Sequence, residues 1–138
     1  MKEVVYLAAR YARRLEMHGP RDALVERGYR VISRWLDGHE LPNDWDEETH
    51  ARLRSDYARD DLQDLFEANV VVAFTEEPRA QLTSPGRGGR HVELGYALAM
   101  KHFGRPVRIL VVGPKENIFC CLSEVEVYPS FPEALAAL

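Results

Sequence analysis

Five consecutive apolar residues, Val70-Val71-Val72-Ala73-Phe74, constrain the fold most. A strand with one wet face alternates apolar and polar side chains, whereas an unbroken run of this kind is a strand covered on both faces. The rest of the chain supplies the cover. Segments 4–8, 29–36, 107–112 and 125–128 read as further strands. Segments 15–26, 48–68, 91–103 and 131–138 read as helices. Strands alternating with helices imply a parallel sheet between two helical layers. Right-handed crossovers then give an α/β, flavodoxin-like doubly wound fold, with a parallel five-stranded sheet of order 2-1-3-4-5.

The 138 residues suffice for a single domain, 1–138, and are too few for two of ordinary size. A net charge of −4 argues against nucleic acid as a partner, because backbone binders are basic. No apolar run is long enough to span a bilayer, so no membrane partner is expected. Met1-Lys2-Glu3-Val4 leads directly into a strand without the layout of a signal peptide. Cys120 and Cys121 are adjacent, with no metal-ligand spacing around them. They read as reduced packing residues of a cytoplasmic protein.

Several local signals locate the ends of elements. Gly28 and Gly104 are helix stops. Pro20 either begins a second helix or kinks a longer one. The long helix has Leu53, Tyr57, Ala58, Leu62, Leu65 and Phe66 at three-and-four spacing as its expected apolar face. Asp61 borders that face and is either paired to an arginine or kept for chemistry, while Asp60 and Asp64 read as ordinary surface acids. In the next helix Val92, Gly95, Tyr96, Ala99 and Phe103 form the expected buried stripe. Segment 37–48 is acidic, contains Gly38, Pro42 and Trp45, and is long enough for a substrate loop. His39 and Asp44 within it carry no recognised metal spacing, and no metal is expected.

Ligands of open α/β folds sit outside the carboxyl ends of the strands. Tyr6 lies in the first strand, either as a core aromatic with a satisfied hydroxyl or as part of a site. Arg10, Tyr11, Arg13 and Arg14 follow it, and these arginines meet either a 5′-phosphate or solvent. The stretch Gly86-Arg87-Gly88-Gly89-Arg90-His91-Val92-Glu93 is a glycine-rich loop opening a helix. It matches neither the dinucleotide nor the P-loop fingerprint. Its glycines let a substrate approach the backbone closely. Glu93, near the helix start, is expected to be held ionised by the helix N-terminus, and is either a dipole-matching residue or a nucleophile. His91 is either a proton carrier or a capping residue.

Gly88-Gly89-Arg90-His91-Val92-Glu93-Leu94-Gly95-Tyr96-Ala97, followed by Val111-Val112-Gly113-Pro114-Lys115-Glu116-Asn117-Ile118-Phe119, resembles the nucleoside 2-deoxyribosyltransferase family. That family includes deoxynucleoside 5′-monophosphate N-glycosidases, and the resemblance extends from Tyr6 to the last helix. It implies that Glu93 attacks the sugar C1′ carbon, that Tyr6 hydrogen-bonds the attacking carboxylate, and that Asp61 contacts the leaving base or sugar. Gly88, Gly89, Arg90 and His91 then line the substrate, and Asn117 is a candidate for reaching a neighbouring subunit's site in a homo-oligomer. Two positions depart from the family: Asn69 replaces an Asp at the start of the third strand, and Arg87 replaces an Asp six residues before the glutamate. The second departure bears on sugar contacts and on base exchange. The expected substrate is a small nucleoside or nucleotide. The expected reaction is N-glycosidic cleavage without a cofactor, finished by water or by a second base. A non-catalytic nucleotide-binding module is the alternative from another class.

Overall fold

The first strand, β1 (Val4–Ala8), lies inside the sheet, flanked by β2 (Arg30–Val31) and β3 (Val70–Phe74). Beyond β3 come β4 (Arg108–Val112) and β5 (Val125–Tyr128). All pairings are parallel and the order is β2-β1-β3-β4-β5, as the alternation of elements requires. This is a computed structural model, and it describes residues 2–39, 41, 46–77 and 88–138. Pro42, Asp44, Trp45, Gly86 and Arg87 therefore lie outside the described residues, as do parts of the expected loops 37–48 and 75–87.

Every residue of β3 is buried, which agrees with its unbroken apolar sequence. The helices α2 (Glu47–Glu67) and α3 (Gly89–His102) pack on each other and on β1. The helices α1 (His18–Glu26) and α4 (Phe131–Ala137) are linked across the chain ends. Arg27 donates to the Leu135 carbonyl at 3.0 Å and Tyr29 Oη to the Leu138 carbonyl at 3.0 Å. Among the described residues, no helix is long and apolar enough to cross a membrane.

Several sequence expectations need correction. The second strand is not 29–36. Its ladder is two residues long, with one further bond from Ile32 N–H to the Val5 carbonyl, before the chain turns into a 3-10 helix at Arg34–Asp37. Side chains complete the edge of β1. Ser33 Oγ accepts from Leu7 N–H at 2.7 Å, and Trp35 Nε1 donates to the Leu7 carbonyl at 2.8 Å. Buried backbone groups need partners, and these two side chains provide them where the strand stops.

The first helix starts at His18, not at residue 15, and Leu15 is exposed. Pro20 falls in its first turn, where the missing N–H has no helical acceptor to lose. In α2 the buried positions are Asp64 and Leu65, while Leu62 and Phe66 are exposed. Asp64 is the buried acid of that helix because Arg34 neutralises it. The Arg34 Nε donates to Oδ1 at 2.9 Å and the Arg34 backbone N–H to Oδ2 at 3.0 Å.

In α3 the buried stripe is Leu94, Ala97 and Met100. Val92 and Phe103, expected inside, are 66% and 83% exposed. The helix is rotated by about one position from the expected orientation, which brings Glu93 to the edge of its inner face. Cys120 is buried, but Cys121 is exposed and does not serve the core.

Candidate active site

Three elements deliver three polar side chains to one place. Tyr6 is the third residue of β1 and completely buried, paired in register with Val71 of β3. Asp61 comes from the inner side of α2, and Glu93 from the inner side of α3. Gly88 caps α3 with φ +84°, a left-handed conformation that side chains disfavour, and this turn feeds the chain into the helix above the sheet. Gly89 is different: a Cβ there would lie at an ordinary 3.9 Å from Glu93 Oε1.

Tyr6 Oη, Asp61 Oδ1 and Glu93 Oε2 are all shut off from solvent, and none has a hydrogen bond of standard geometry. They nevertheless act strongly on one another. Burial pushes the Glu93 carboxyl up to about 8; the Tyr6 phenol opposes the rise and the Asp61 charge adds to it. Burial also raises Asp61 to about 7, with Asp64 and Asp60 contributing and Arg34 opposing. Burial first, then Glu93 and Asp61, drives Tyr6 far above its ordinary value, so it stays a neutral phenol.

The expectation that the helix N-terminus holds Glu93 ionised is not met. Glu93 is the fifth residue of α3, beyond the first turn, where the dipole's effect has faded, and desolvation dominates. Buried polar atoms without partners are rare in folded proteins and cluster where a ligand completes the set.

The loop after β1 forms the rim. Arg10 Nε donates to Glu76 Oε1 at 2.8 Å. Arg13 grips Glu16 through Nε and a terminal nitrogen at 2.8 and 3.0 Å, and its other terminal nitrogen lies 3.6 Å from Glu76 Oε2. Glu76 thus holds two of the arginines considered for a phosphate. Arg14 lies over the Tyr11 ring at 5.4 Å and has no ion pair among the described residues.

Tyr11 Oη accepts from the His39 backbone N–H at 2.8 Å. The His39 ring stacks between Tyr11 and Tyr57, with centroids at 5.3 and 4.4 Å. Its Nε2 lies 3.9 Å from Asp61 Oδ1.

Arg90, His91 and Asn117 belong to a different cluster, on the β4 side of α3. Arg90 pairs with Glu116, and His91 Nε2 lies 3.9 Å from the other Glu116 oxygen. The Asn117 side chain caps the following turn by accepting from Phe119 N–H at 3.0 Å. His91, Glu116 and Asn117 also line an apolar groove of about 720 Å³, with Leu94, Leu98 and Phe119.

Sequence reasoning considered His39 only as a metal ligand and overlooked Glu76, Tyr57 and Glu116. One signal was available: Glu76 closely follows the carboxyl end of β3, and His39 follows the 3-10 helix after β2, the two strands that flank β1.

No family model and no curated protein matches the chain. Solved structures do. The chain is similar to a 2-deoxyribosyltransferase from the psychrotolerant bacterium Bacillus psychrosaccharolyticus, with a TM-score of 0.62 and 16% identity over 95% of this chain and 89% of that one. It is also similar to the Clostridium botulinum CMP N-glycosidase BcmB, with a TM-score of 0.50 and 22% identity over 98% of this chain and 97% of that one. Over nearly its whole length, this chain has the fold of those two proteins.

Proposed function

We propose that this protein is an enzyme of the nucleoside 2-deoxyribosyltransferase kind, cleaving the N-glycosidic bond of nucleosides or deoxynucleosides, or their 5′-monophosphates, with Glu93 as nucleophile. One observation carries the reading: Tyr6, Glu93 and Asp61 are buried together with polar atoms that no described residue satisfies.

The reactive form has Glu93 ionised and Asp61 protonated, the minor of the two singly protonated forms, because Glu93 is raised to about 8 and Asp61 to about 7. Cleavage passes through an oxocarbenium-like state, and positive charge developing at C1′ favours an ionised carboxylate beside it. Glu93, as its carboxylate, bonds to C1′ while the C1′–N bond breaks and its electron pair leaves with the base. Asp61, titrating near neutrality, gives its proton to that base. Tyr6 stays protonated and orients Glu93. Water or a second base then displaces Glu93 from C1′ and restores the carboxylate. A nucleoside 5′-monophosphate is favoured as substrate by Arg14, which has no acidic partner among the described residues, and opposed by Glu76, which occupies Arg10 and Arg13.

The protein is a homo-oligomer in this reading, and the apolar groove is where a second copy sits. Exposed Phe103, Phe119 and Leu122 line it, and clustered exposed apolar side chains of this kind mark association surfaces. Sedimentation of the purified protein at micromolar concentration tests this, and a monomer refutes it.

For the reaction, the chain is incubated with deoxynucleosides and their monophosphates, with and without acceptor bases. Exchanged base identifies a transferase. Free base without an acceptor identifies a hydrolase, and tight binding with neither product identifies a non-catalytic binding module. With a slow substrate, a sugar adduct on the Glu93 peptide is the expected mass-spectrometric signature. A Glu93→Ala variant that turns over at the wild-type rate removes Glu93 from the mechanism.

A further inference from the structure

The helix α3 carries two apolar stripes, and only one of them faces the sheet. Leu94, Ala97 and Met100 are buried, while Val92, Ala99 and Phe103 are exposed. Either stripe would serve apolar burial, so burial of this kind does not decide which way the helix turns. The choice matters, because it aims Glu93.

A charge marks the inner face. Arg90 stands seven residues before Ala97, two turns along the helix, and so shares its side with Leu94 and Ala97. Its side chain is only 10% exposed, and a terminal nitrogen pairs with Glu116 Oε2 from the turn after β4, whose side chain is 14% exposed. The pair is poorly arranged for stability. Arg90 Nε and Glu116 Oε1 are both shut off from solvent with no hydrogen-bond partner among the described residues, and His91 Nε2 comes only within 3.9 Å of that Oε1. Taking two charges out of water offsets much of what their contact returns, and the best-attested use of a buried polar group is to fix register.

We propose that the Arg90–Glu116 pair sets the rotation of α3 about its own axis, and with it the aim of Glu93 into the site. Arg90 and Glu93 are three residues apart on one helix, so they are surface neighbours and turn together. Turning the other stripe onto the sheet would carry Arg90 into water, strand Glu116 and swing Glu93 away from Tyr6. Neither member of the pair touches a reacting atom; both are positioning residues.

The effect on turnover rests on the N-glycosidic reading, whereas the aim of Glu93 does not, and the test keeps the two apart. Glu116→Leu leaves the arginine charge buried and unpaired, which favours the rotation that returns it to water. The Glu93 carboxyl, raised to about 8 by burial, should then titrate closer to its ordinary 4.5. Carbon NMR of labelled glutamate reads that midpoint, with Glu93→Gln identifying the signal. The kcat of Glu116→Leu should fall about 10- to 100-fold with little change in KM. Adding Arg90→Met removes the stranded charge and leaves an apolar pair, so the double variant should regain both the Glu93 midpoint and most of kcat. Should Glu116→Leu fail to fold, Glu116→Gln carries the same measurement, with a smaller shift in the same direction. An unmoved Glu93 midpoint in the folded single variant overturns the proposal. So does a double variant that recovers neither quantity, or one that regains the midpoint without kcat, which would put Arg90 or Glu116 on the substrate. A wild type that releases no base from any substrate overturns the N-glycosidic reading and leaves the midpoint to decide the rotation.

Discussion

Tyr6 and Glu93 lie together out of reach of solvent, and they act on each other in opposite senses: Glu93 makes the phenol harder to ionise, whereas the phenol favours the carboxylate. A neutral donor beside an acid raised to about 8 is an arrangement that stabilises the folded chain poorly and suits a reaction that generates positive charge nearby.

Tyr6→Phe separates those two roles. The buried phenol makes no hydrogen bond of standard geometry in the resting chain, although it acts on Glu93, so its removal should cost the fold little. The melting temperature should hold or rise by a few degrees. Turnover should fall about 10- to 100-fold, because the carboxylate loses its donor. The alkaline limb of kcat/KM should move to higher pH, since Tyr6 lowers the Glu93 pKa and the higher of the pair's two values follows Glu93. A parallel loss of stability and activity would instead mark Tyr6 as a packing residue.

Asp61→Asn should abolish the alkaline limb, because no acid is left to lose its proton, and leave the single ionisation of Glu93. The Asp61 charge raises Glu93, so a neutral amide there lets Glu93 ionise at lower pH. The rate should fall as well, most for bases that leave poorly without a proton. In the wild type, kcat/KM should be bell-shaped with apparent values near 7 and 8 that belong to the pair. Steady-state rates with a good and a poor leaving base, from pH 5 to 10, check both statements.

Glu93→Gln predicts a pH-dependent gain in stability. The unfolded carboxyl titrates near 4.5 and the folded one near 8. Between those values the folded state holds the extra proton, so wild-type stability falls as pH rises through the window. Below pH 4 the variant and wild type should be alike. By pH 9 the variant should be more stable, by on the order of 5 kcal/mol. Urea unfolding at the two pH values measures the gap, and a gap that widens toward low pH contradicts the assignment.

The unbroken Val70–Phe74 strand and the alternation around it made the sheet order legible, because burial on two faces and right-handed crossover leave few topologies. The convergence of Tyr6, Asp61 and Glu93 followed from that order. Helix rotation was not legible. Val92 and Phe103 are as hydrophobic as Leu94 and Met100, and periodicity alone cannot choose between two overlapping apolar stripes when one is left exposed. Asp64 was misjudged because its partner, Arg34, is 30 residues away in sequence. The same holds for Glu76 and Arg10, and for His39 and its two tyrosines: each pairing exists only after the chain has folded.

Glu76→Gln tests the rim. Glu76 lies on Arg10 and Arg13 and sets a negative charge where a 5′-phosphate would arrive. Removing that charge should lower KM for monophosphates several-fold and leave nucleosides unaffected, with the difference shrinking at high salt. Equal effects on both substrate classes would place the phosphate elsewhere.

The last prediction concerns the strand ends that carry the site. Gly113 ends β4 with φ +118°, and a Cβ there would lie 2.6 Å from Thr75 Oγ1 and 3.3 Å from the Thr75 carbonyl oxygen. Thr75 cannot easily yield. Its N–H donates to the Val112 carbonyl at 3.0 Å and its hydroxyl to the Pro114 carbonyl at 2.7 Å, so it ties the end of β3 to the turn after β4. Gly113→Ala should therefore cost about 2–4 kcal/mol, from backbone strain plus the clash. Thr75→Ala should cost about 1 kcal/mol through the lost hydrogen bond. Combined, they should cost less than the sum, because removing Oγ1 relieves the closest contact while the strain at Gly113 stays. Urea unfolding of the four proteins in this cycle gives the coupling, and strict additivity would mean that the Thr75 hydroxyl is not what the new methyl meets.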